Sequence, residues 1–287
     1  MSRRAQESAS GFTLVEALVV VAVLAAVGLV AVRSSRGLLD RAHFEATQRL
    51  LADTRDALVG KAGFVADLGR LPDFDADPAE PLRELLTRLP GVPASALVPT
   101  PFEPTLALPL GWRGPYLQLA PGVDHVLDGW ARPLLVDHAN GDLRLRSLGA
   151  DGLVGGTGFD TDLELALIDV ANGIDLTRGD LALSFSMPVK PNGAPANPTP
   201  HVSLLVPDPA GASWIEFAPV PPQNPWTSGT FPYNEVFKFS AVPVGVRVAR
   251  AYLVDGSATQ ANSSDPRSAA LPVDIRPGAQ FASLQLP

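Results

Sequence analysis

The apolar run from Phe12 to Val32, FTLVEALVVVAVLAAVGLVAV, constrains this chain more than any other feature. Only Thr13 and Glu16 interrupt it. As a helix these residues span about 32 Å at roughly 1.5 Å per residue, enough to cross the hydrocarbon of a bilayer. Three readings meet that length. A secretory signal peptide has a shorter apolar region followed by a small-residue cleavage site, whereas here Gly11 precedes the run. An uncleaved anchor satisfies the hydropathy equally well. Glu16 favours the third reading. A carboxylate inside an apolar helix costs about 2.5–3.5 kcal/mol and is retained where it has a partner. It lies four residues after Phe12, on the same helical face. If the bond between Gly11 and Phe12 were cut, Glu16 of a neighbouring copy could pair with the new ammonium group.

Gly11-Phe12-Thr13-Leu14-Val15-Glu16, followed by an apolar helix, resembles the prepilin peptidase site of type IV pilins and type II secretion pseudopilins. The resemblance implies cleavage after Gly11, N-methylation of Phe12 and a role for Glu16 as the assembly carboxylate. The leader, residues 1–11, carries Arg3 and Arg4 and would stay cytoplasmic by the positive-inside rule. Residues 12–32 would form a single-pass inner-membrane and assembly helix, with everything after Val32 in the periplasm. The chain departs from the family where the span ends: a proline is frequent there, and this sequence has Val32-Arg33-Ser34.

From Gly37 to Val59 the pattern becomes amphipathic. Leu39, Ala42, Ala46, Leu50 and Ala57 recur near helical spacing, so a globular head is expected to pack on that stripe. A short helix is expected over Pro78–Leu89, with Asp77 as its cap and Pro78 at its first position. Val92–Pro115 is rich in proline and reads as an extended loop. A hairpin comes next, with residues 133–137 and 143–147 flanking an Asn140-Gly141 turn. The segments Gly111-Trp112-Arg113-Gly114-Pro115-Tyr116 and Asp128-Gly129-Trp130-Ala131-Arg132-Pro133 resemble those that lead into the small sheet of the major pseudopilin family. Core packing accounts for Trp112 and Trp130.

Residues 147–162 continue directly from the hairpin, with three carboxylates, Asp151, Asp160 and Asp162, among five glycines. Hard oxygen ligands and turned-in carbonyls suit calcium, while a solvated acidic turn explains the same composition. The EF-hand spacing is missing. The resemblance implies calcium, since major pseudopilins bind it through a similar pattern. It points to Asp151, to Asp160 or Asp162, to the backbone oxygens of Leu148 and Leu153, and to the Thr157 hydroxyl.

Beyond Asp162 the composition shifts toward proline. Seven short strands are expected at residues 180–187, 201–206, 213–218, 235–240, 246–254, 271–275 and 281–286, the pattern of a β-sandwich. Residues 237–245 and 273–278 resemble the carboxypeptidase-regulatory, transthyretin-like sandwich, which implies a fold and not an activity. Trp214, Trp226, Phe231 and Tyr233 are either a recognition surface or packing. The expected fold class is therefore α+β: a long, partly transmembrane helix packed on a small antiparallel sheet, then an all-β sandwich. The head covers residues 33–170 and the extension 171–287.

The chain has 287 residues, a net charge of −8 and no cysteine. Disulfides and thiol chemistry are excluded, and the acidic balance argues against a nucleic-acid partner. His43, His125, His138 and His201 show no metal-ligand spacing, and no nucleophile motif accompanies them. The expected role is therefore structural and not enzymatic: a subunit of a type II secretion pseudopilus. Its partners would be prepilin peptidase, identical and related pseudopilins, the inner-membrane assembly platform and secreted substrates. The alternative is a type IV pilus subunit whose sandwich is an adhesive or substrate-binding module.

Overall fold

The computed structural model describes residues 14–77, 80–101, 105–189, 198–210, 213–217, 232–255 and 268–285. Gly11, Phe12, Pro78, Trp226 and Phe231 lie outside them. Helix α1 runs Leu14–Val59, followed by two short helices, α2 (Phe64–Leu68) and α3 (Arg83–Leu86). A two-stranded ribbon pairs β1 (Ala96–Pro99) with β2 (Ala107–Leu110). The head sheet is antiparallel in the order β3 (Leu135–Asp137), β4 (Leu143–Ser147), β5 (Leu163–Asp169) and β6 (Ile174–Asp175). Seven strands complete the chain: β7 (Arg178–Met187), β8 (Pro198–Pro207), β9 (Trp214–Phe217), β10 (Tyr233–Pro243), β11 (Gly245–Asp255), β12 (Leu271–Ile275) and β13 (Gly278–Gln285). They form two sheets, β10-β7-β13 and β12-β11-β8-β9.

The expected fold class is corrected by this arrangement. Strand outweighs helix, 38% to 24%, in several sheets, so the chain is mostly β and is not a long helix on a small sheet. No helix among the described residues is long and apolar enough to cross a membrane. Most of the fold is built by the chain after α1. Alternating strands bury Leu181, Leu183, Phe185 and Met187 of β7 against Phe237 and Phe239 of β10 and Leu204 and Val206 of β8.

The head core gathers Leu51, Leu58, Phe64, Leu85, Leu134, Leu145 and Leu167 between α1, the short helices and the sheet. The expected stripe of α1 is met in part: Ala57 is buried and Leu50 packs against the head core, while Leu39, Ala42 and Ala46 are exposed and Thr47, Leu51, Thr54 and Leu58 face inward. The two threonines fit an apolar interface because their hydroxyls donate to the carbonyls of His43 (2.9 Å) and Leu50 (2.7 Å) one turn back.

Other local expectations also change. The helix expected over Pro78–Leu89 shrinks to Arg83–Leu86. Leu82 leaves helical geometry, and the Glu84 carboxylate is drawn into the fold by Arg70 (2.9 and 3.0 Å) and the Asp73 amide. The proline-rich loop contains the β1–β2 ribbon, whose free edges tolerate Pro99 and Pro109. The Asn-Gly hairpin forms with Val136 opposite Leu145, Asn140 and Gly141 both taking positive φ.

Candidate functional site

Glu16 occupies the first turn of α1, and from there to Leu29 the helix is exposed on every face. Leu14, Val15, Leu18, Val21, Leu24 and Val27 are all more than half exposed. No described residue covers this apolar surface, and exposed apolar patches of this size are characteristic of interaction sites. The other end of α1 is held from the side by the turn Asp128–Arg132. The buried Asp128 carboxylate accepts from the amides of Trp130 and Arg132 (both 2.9 Å) and from the Ser147 hydroxyl at the end of β4 (2.6 Å). Gly129, at the tip, donates its amide to Thr47 Oγ1 (2.9 Å), and the Trp130 ring meets His43 edge-on. Helix, turn and sheet are thereby joined through one carboxylate and two hydroxyls, those of Thr47 and Ser147. His43 is consequently a half-buried packing residue on Trp130.

The acidic glycine loop continues from Ser147 and folds back on itself. Ala150 donates to the Phe159 carbonyl (2.8 Å) and Gly152 to that of Leu148 (3.2 Å). Gly149 and Gly156 both have positive φ, and a Cβ on either would run into the backbone or Cβ of Asp160. Phe159 packs edge-on against Phe44 of α1, so the loop too is tied to the helix. The structure does not bring the three aspartates into one cluster: among the described residues no group of three or more His, Asp or Glu could hold a metal. Asp151 is exposed and accepts from the Leu153 amide (2.9 Å), while Asp160 sits exposed on a short 3-10 turn. Leu153 and Thr157 are exposed.

Two features bear on whether a cation fits. Asp162 is only 12% exposed and its Oδ1 is buried without a hydrogen-bond donor, its nearest cation being Arg146 Nη1, 3.9 Å from Oδ2. Such an oxygen is the kind of ligand a hard cation takes. Arg132 works in the opposite sense, since its Nη2 already donates to the Ala150 carbonyl and its guanidinium occupies the space beside Gly152. Of the three carboxylates, Asp162 alone offers a buried oxygen without a donor, and the three do not converge.

A second polar cluster, which the sequence did not single out, lies where the head meets the sandwich. Arg113 grips the buried Asp67 carboxylate with Nε (2.9 Å) and Nη2 (2.6 Å), and Tyr116 donates its hydroxyl to the same group (2.9 Å). Burial pushes the Asp67 carboxyl up, against the pull of Arg113, and burial likewise raises the Tyr116 phenol. Across the junction the fully buried Arg247 of β11 donates to the carbonyls of Ala66 (2.9 Å), Val65 (3.4 Å), Pro243 (3.0 Å) and Val244. In the sandwich, Tyr233 is buried in the core, and Trp214 reaches the Val98 carbonyl of the ribbon (3.4 Å). Both aromatics pack; neither presents a free recognition face.

His125 and His138 are partly exposed, beside Glu80 (3.0 Å) and Asp75 (3.3 Å). His201 stacks on Tyr252, and burial lowers its imidazole below the ordinary value. The histidines stand on different elements, and none belongs to a metal-holding group among the described residues. Comparison with protein-family models, characterised proteins and solved structures returns no match.

Proposed function

We propose that this chain is a pilin-like structural subunit, cut between Gly11 and Phe12 by prepilin peptidase and assembled into a type II secretion pseudopilus. The observation that carries the reading is the exposed apolar surface of α1 between Leu14 and Leu29, which its own chain leaves uncovered. In this reading lipid covers that surface before assembly, with the chain spanning the inner membrane once and its head in the periplasm. Other copies and related subunits cover it in the fibre. Glu16 then meets the methylated Phe12 ammonium of a neighbour, which offsets the cost of an apolar-embedded carboxylate. The helix–turn–sheet clamp at Gly129 and Thr47 gives such a subunit a head fixed to its assembly helix. The role is structural, without a catalytic centre.

The processing step is tested by intact mass and amino-terminal sequencing of the protein produced beside an active prepilin peptidase. The expected chain begins at N-methylated Phe12; one still beginning at Met1 overturns the reading. Glu16→Ala should be processed normally yet lose most of its incorporation into fibres. Normal incorporation of that variant would rule out charge pairing at Glu16.

Calcium belongs to the same proposal. Asp162 would supply the carboxylate, with the Leu148 and Leu153 carbonyls and the Thr157 hydroxyl as further oxygens, while Asp151 and Asp160 stay outside the set. Its charge would tie the two ends of the loop together. Thermal unfolding of the wild type should then shift upward by several degrees in millimolar calcium relative to a chelator. Asp162→Ala should abolish that shift. Identical melting of the wild type in both conditions would show that Arg132 and the backbone bonds order the loop without metal.

A further inference from the structure

Sheet edges are the places where a folded chain can accept another strand, and proteins guard them with charge, proline, bulges or brevity. Among the described strands, every sheet edge but one is guarded. The ribbon strands β1 and β2 are four residues long and carry Pro99 and Pro109. In the head sheet, β3 and β6 are three and two residues long and end in Asp137 and Asp175. In the sandwich, β9 is short and carries Glu216, and β12 carries Pro272 and Asp274. The longest edge, β10, bears Glu235, Lys238 and Pro243, and its register breaks between Phe239 and Val242.

The exception is β13. Its sequence, GAQFASLQ, has no charge and no proline, and it pairs with β7 without a register break from Gly278 to Gln285. Eight residues present about 27 Å of edge. Phe281, in the middle, is 84% exposed, the most exposed of the chain's large apolar side chains among the described residues. Ala279 and Ser283 flank it on the same face and are exposed too.

We propose that β13 is a self-association edge, pairing antiparallel with β13 of a second copy about a two-fold axis. A second copy is the occupant because the strand's own chemistry selects it. The edge has no charge with which to recognise an acidic or basic peptide. The other described edges of an identical chain are closed to it by their guards. Self-pairing brings no like charges into opposition, although each chain carries −8 overall. With the axis at Phe281 it also sets Phe281 against the partner's Phe281 and Ala279 against the partner's Ser283, where cross-strand apolar and small side chains stabilise a pair. The resulting contact is isologous and closes at two subunits. It does not depend on α1, so it stands or falls separately from fibre assembly.

The absence of native cysteine makes the test direct. Single cysteines are placed in the full chain at Ala279, Phe281 or Ser283, with Val236→Cys on the β10 edge as control, and the detergent-solubilised proteins are oxidised. Directly opposed side chains on antiparallel strands are close enough for a disulfide. An equal mixture of Ala279→Cys and Ser283→Cys, whose cysteines face each other about this axis, should give a covalent dimer in at least tenfold greater yield than Val236→Cys. Adding Phe281→Lys to both members of the mixture should cut that yield at least tenfold while leaving the melting temperature of these surface variants unchanged. The proposal is overturned by no dimer at any β13 position, by equal yield at Val236, by insensitivity to Phe281→Lys, or by crosslinking to a different protein.

Discussion

Arg247→Met will destabilise the full chain by about 4 kcal/mol and let the sandwich unfold apart from the head. Arg247 stands on β11 beside the sandwich core, yet its guanidinium ends among the carbonyls of α2 in the head. Burial pushes that guanidinium down to about 9, so its charge is itself a cost at neutral pH. Its donors offset the cost by satisfying carbonyls on both sides of the junction. Methionine fills similar volume but donates nothing. The Ala66 and Val244 carbonyls would be left buried without their guanidinium partner, at about 1–3 kcal/mol each. Arg247→Lys should fall between the two, because an ammonium keeps the charge but not the planar fork. Gly245→Val is an independent probe of the same contact. Gly245 has φ +117, and a Cβ there would lie 2.7 Å from the Cα and Cβ of Ala66. Urea unfolding followed by tryptophan fluorescence, with limited proteolysis between the two units, checks all three variants. An unchanged midpoint for Arg247→Met would mean that the junction contributes nothing to stability.

Much of the carboxy-terminal half was legible because strand alternation is a local signal. Leu181, Leu183, Phe185 and Met187 are spaced by two, and all four are buried in the sandwich core. Asn140-Gly141 likewise announced its hairpin through a backbone requirement that few other residues meet. The balance of the whole fold was not legible from the amino-terminal helix. Strand content accumulates in pieces that local reading leaves out: the β1–β2 ribbon, hidden by proline, and β5, which starts one residue after the acidic loop and reads as its continuation. The α1 stripe was legible only in part, at Leu50 and Ala57, because Thr47 and Thr54 count as polar by type, whereas their hydroxyls are consumed by the helix backbone.

The candidate site divides along the same line. Asp151, Asp160 and Asp162 were visible as residue types, but their convergence is a tertiary property, and the structure separates their roles. Asp128 and Arg132 were in view only as part of a segment resembling the pseudopilins. Their bonds to Ser147, to loop carbonyls and to neighbouring amides span up to nineteen positions in the chain. Arg247 and Asp67 gave no local signal at all. An arginine within a Val-Arg-Val-Ala-Arg alternation looks like any solvated strand residue until its partner 181 positions away is known.

Gly129→Ala will uncouple α1 from the head sheet, with an expected loss of about 3 kcal/mol. The constraint is contact, not φ. A Cβ on Gly129 would overlap the carbonyl oxygen of His43 and lie 2.8 Å from its Cα. Both obstacles are helix backbone, which cannot move aside as a flexible side chain does, and overpacking of this kind costs about 1–3 kcal/mol. Displacing the turn also breaks the Gly129–Thr47 hydrogen bond and pulls Trp130 off His43. Thr47→Val separates the two effects: it keeps the shape, removes the acceptor and should cost about 1–2 kcal/mol by leaving the Gly129 amide buried and unpaired. Hydrogen exchange locates the loss. In Gly129→Ala the amides of α1 from His43 to Leu51 should exchange at least tenfold faster while those of β7 and β11 stay protected. Uniform acceleration across both units would instead mean that the turn stabilises the whole molecule. On the proposed function, in which α1 is the assembly helix, Gly129→Ala should also lower fibre incorporation without affecting cleavage at Gly11. Wild-type incorporation together with the local exchange change would show that a subunit tolerates a loosely attached head.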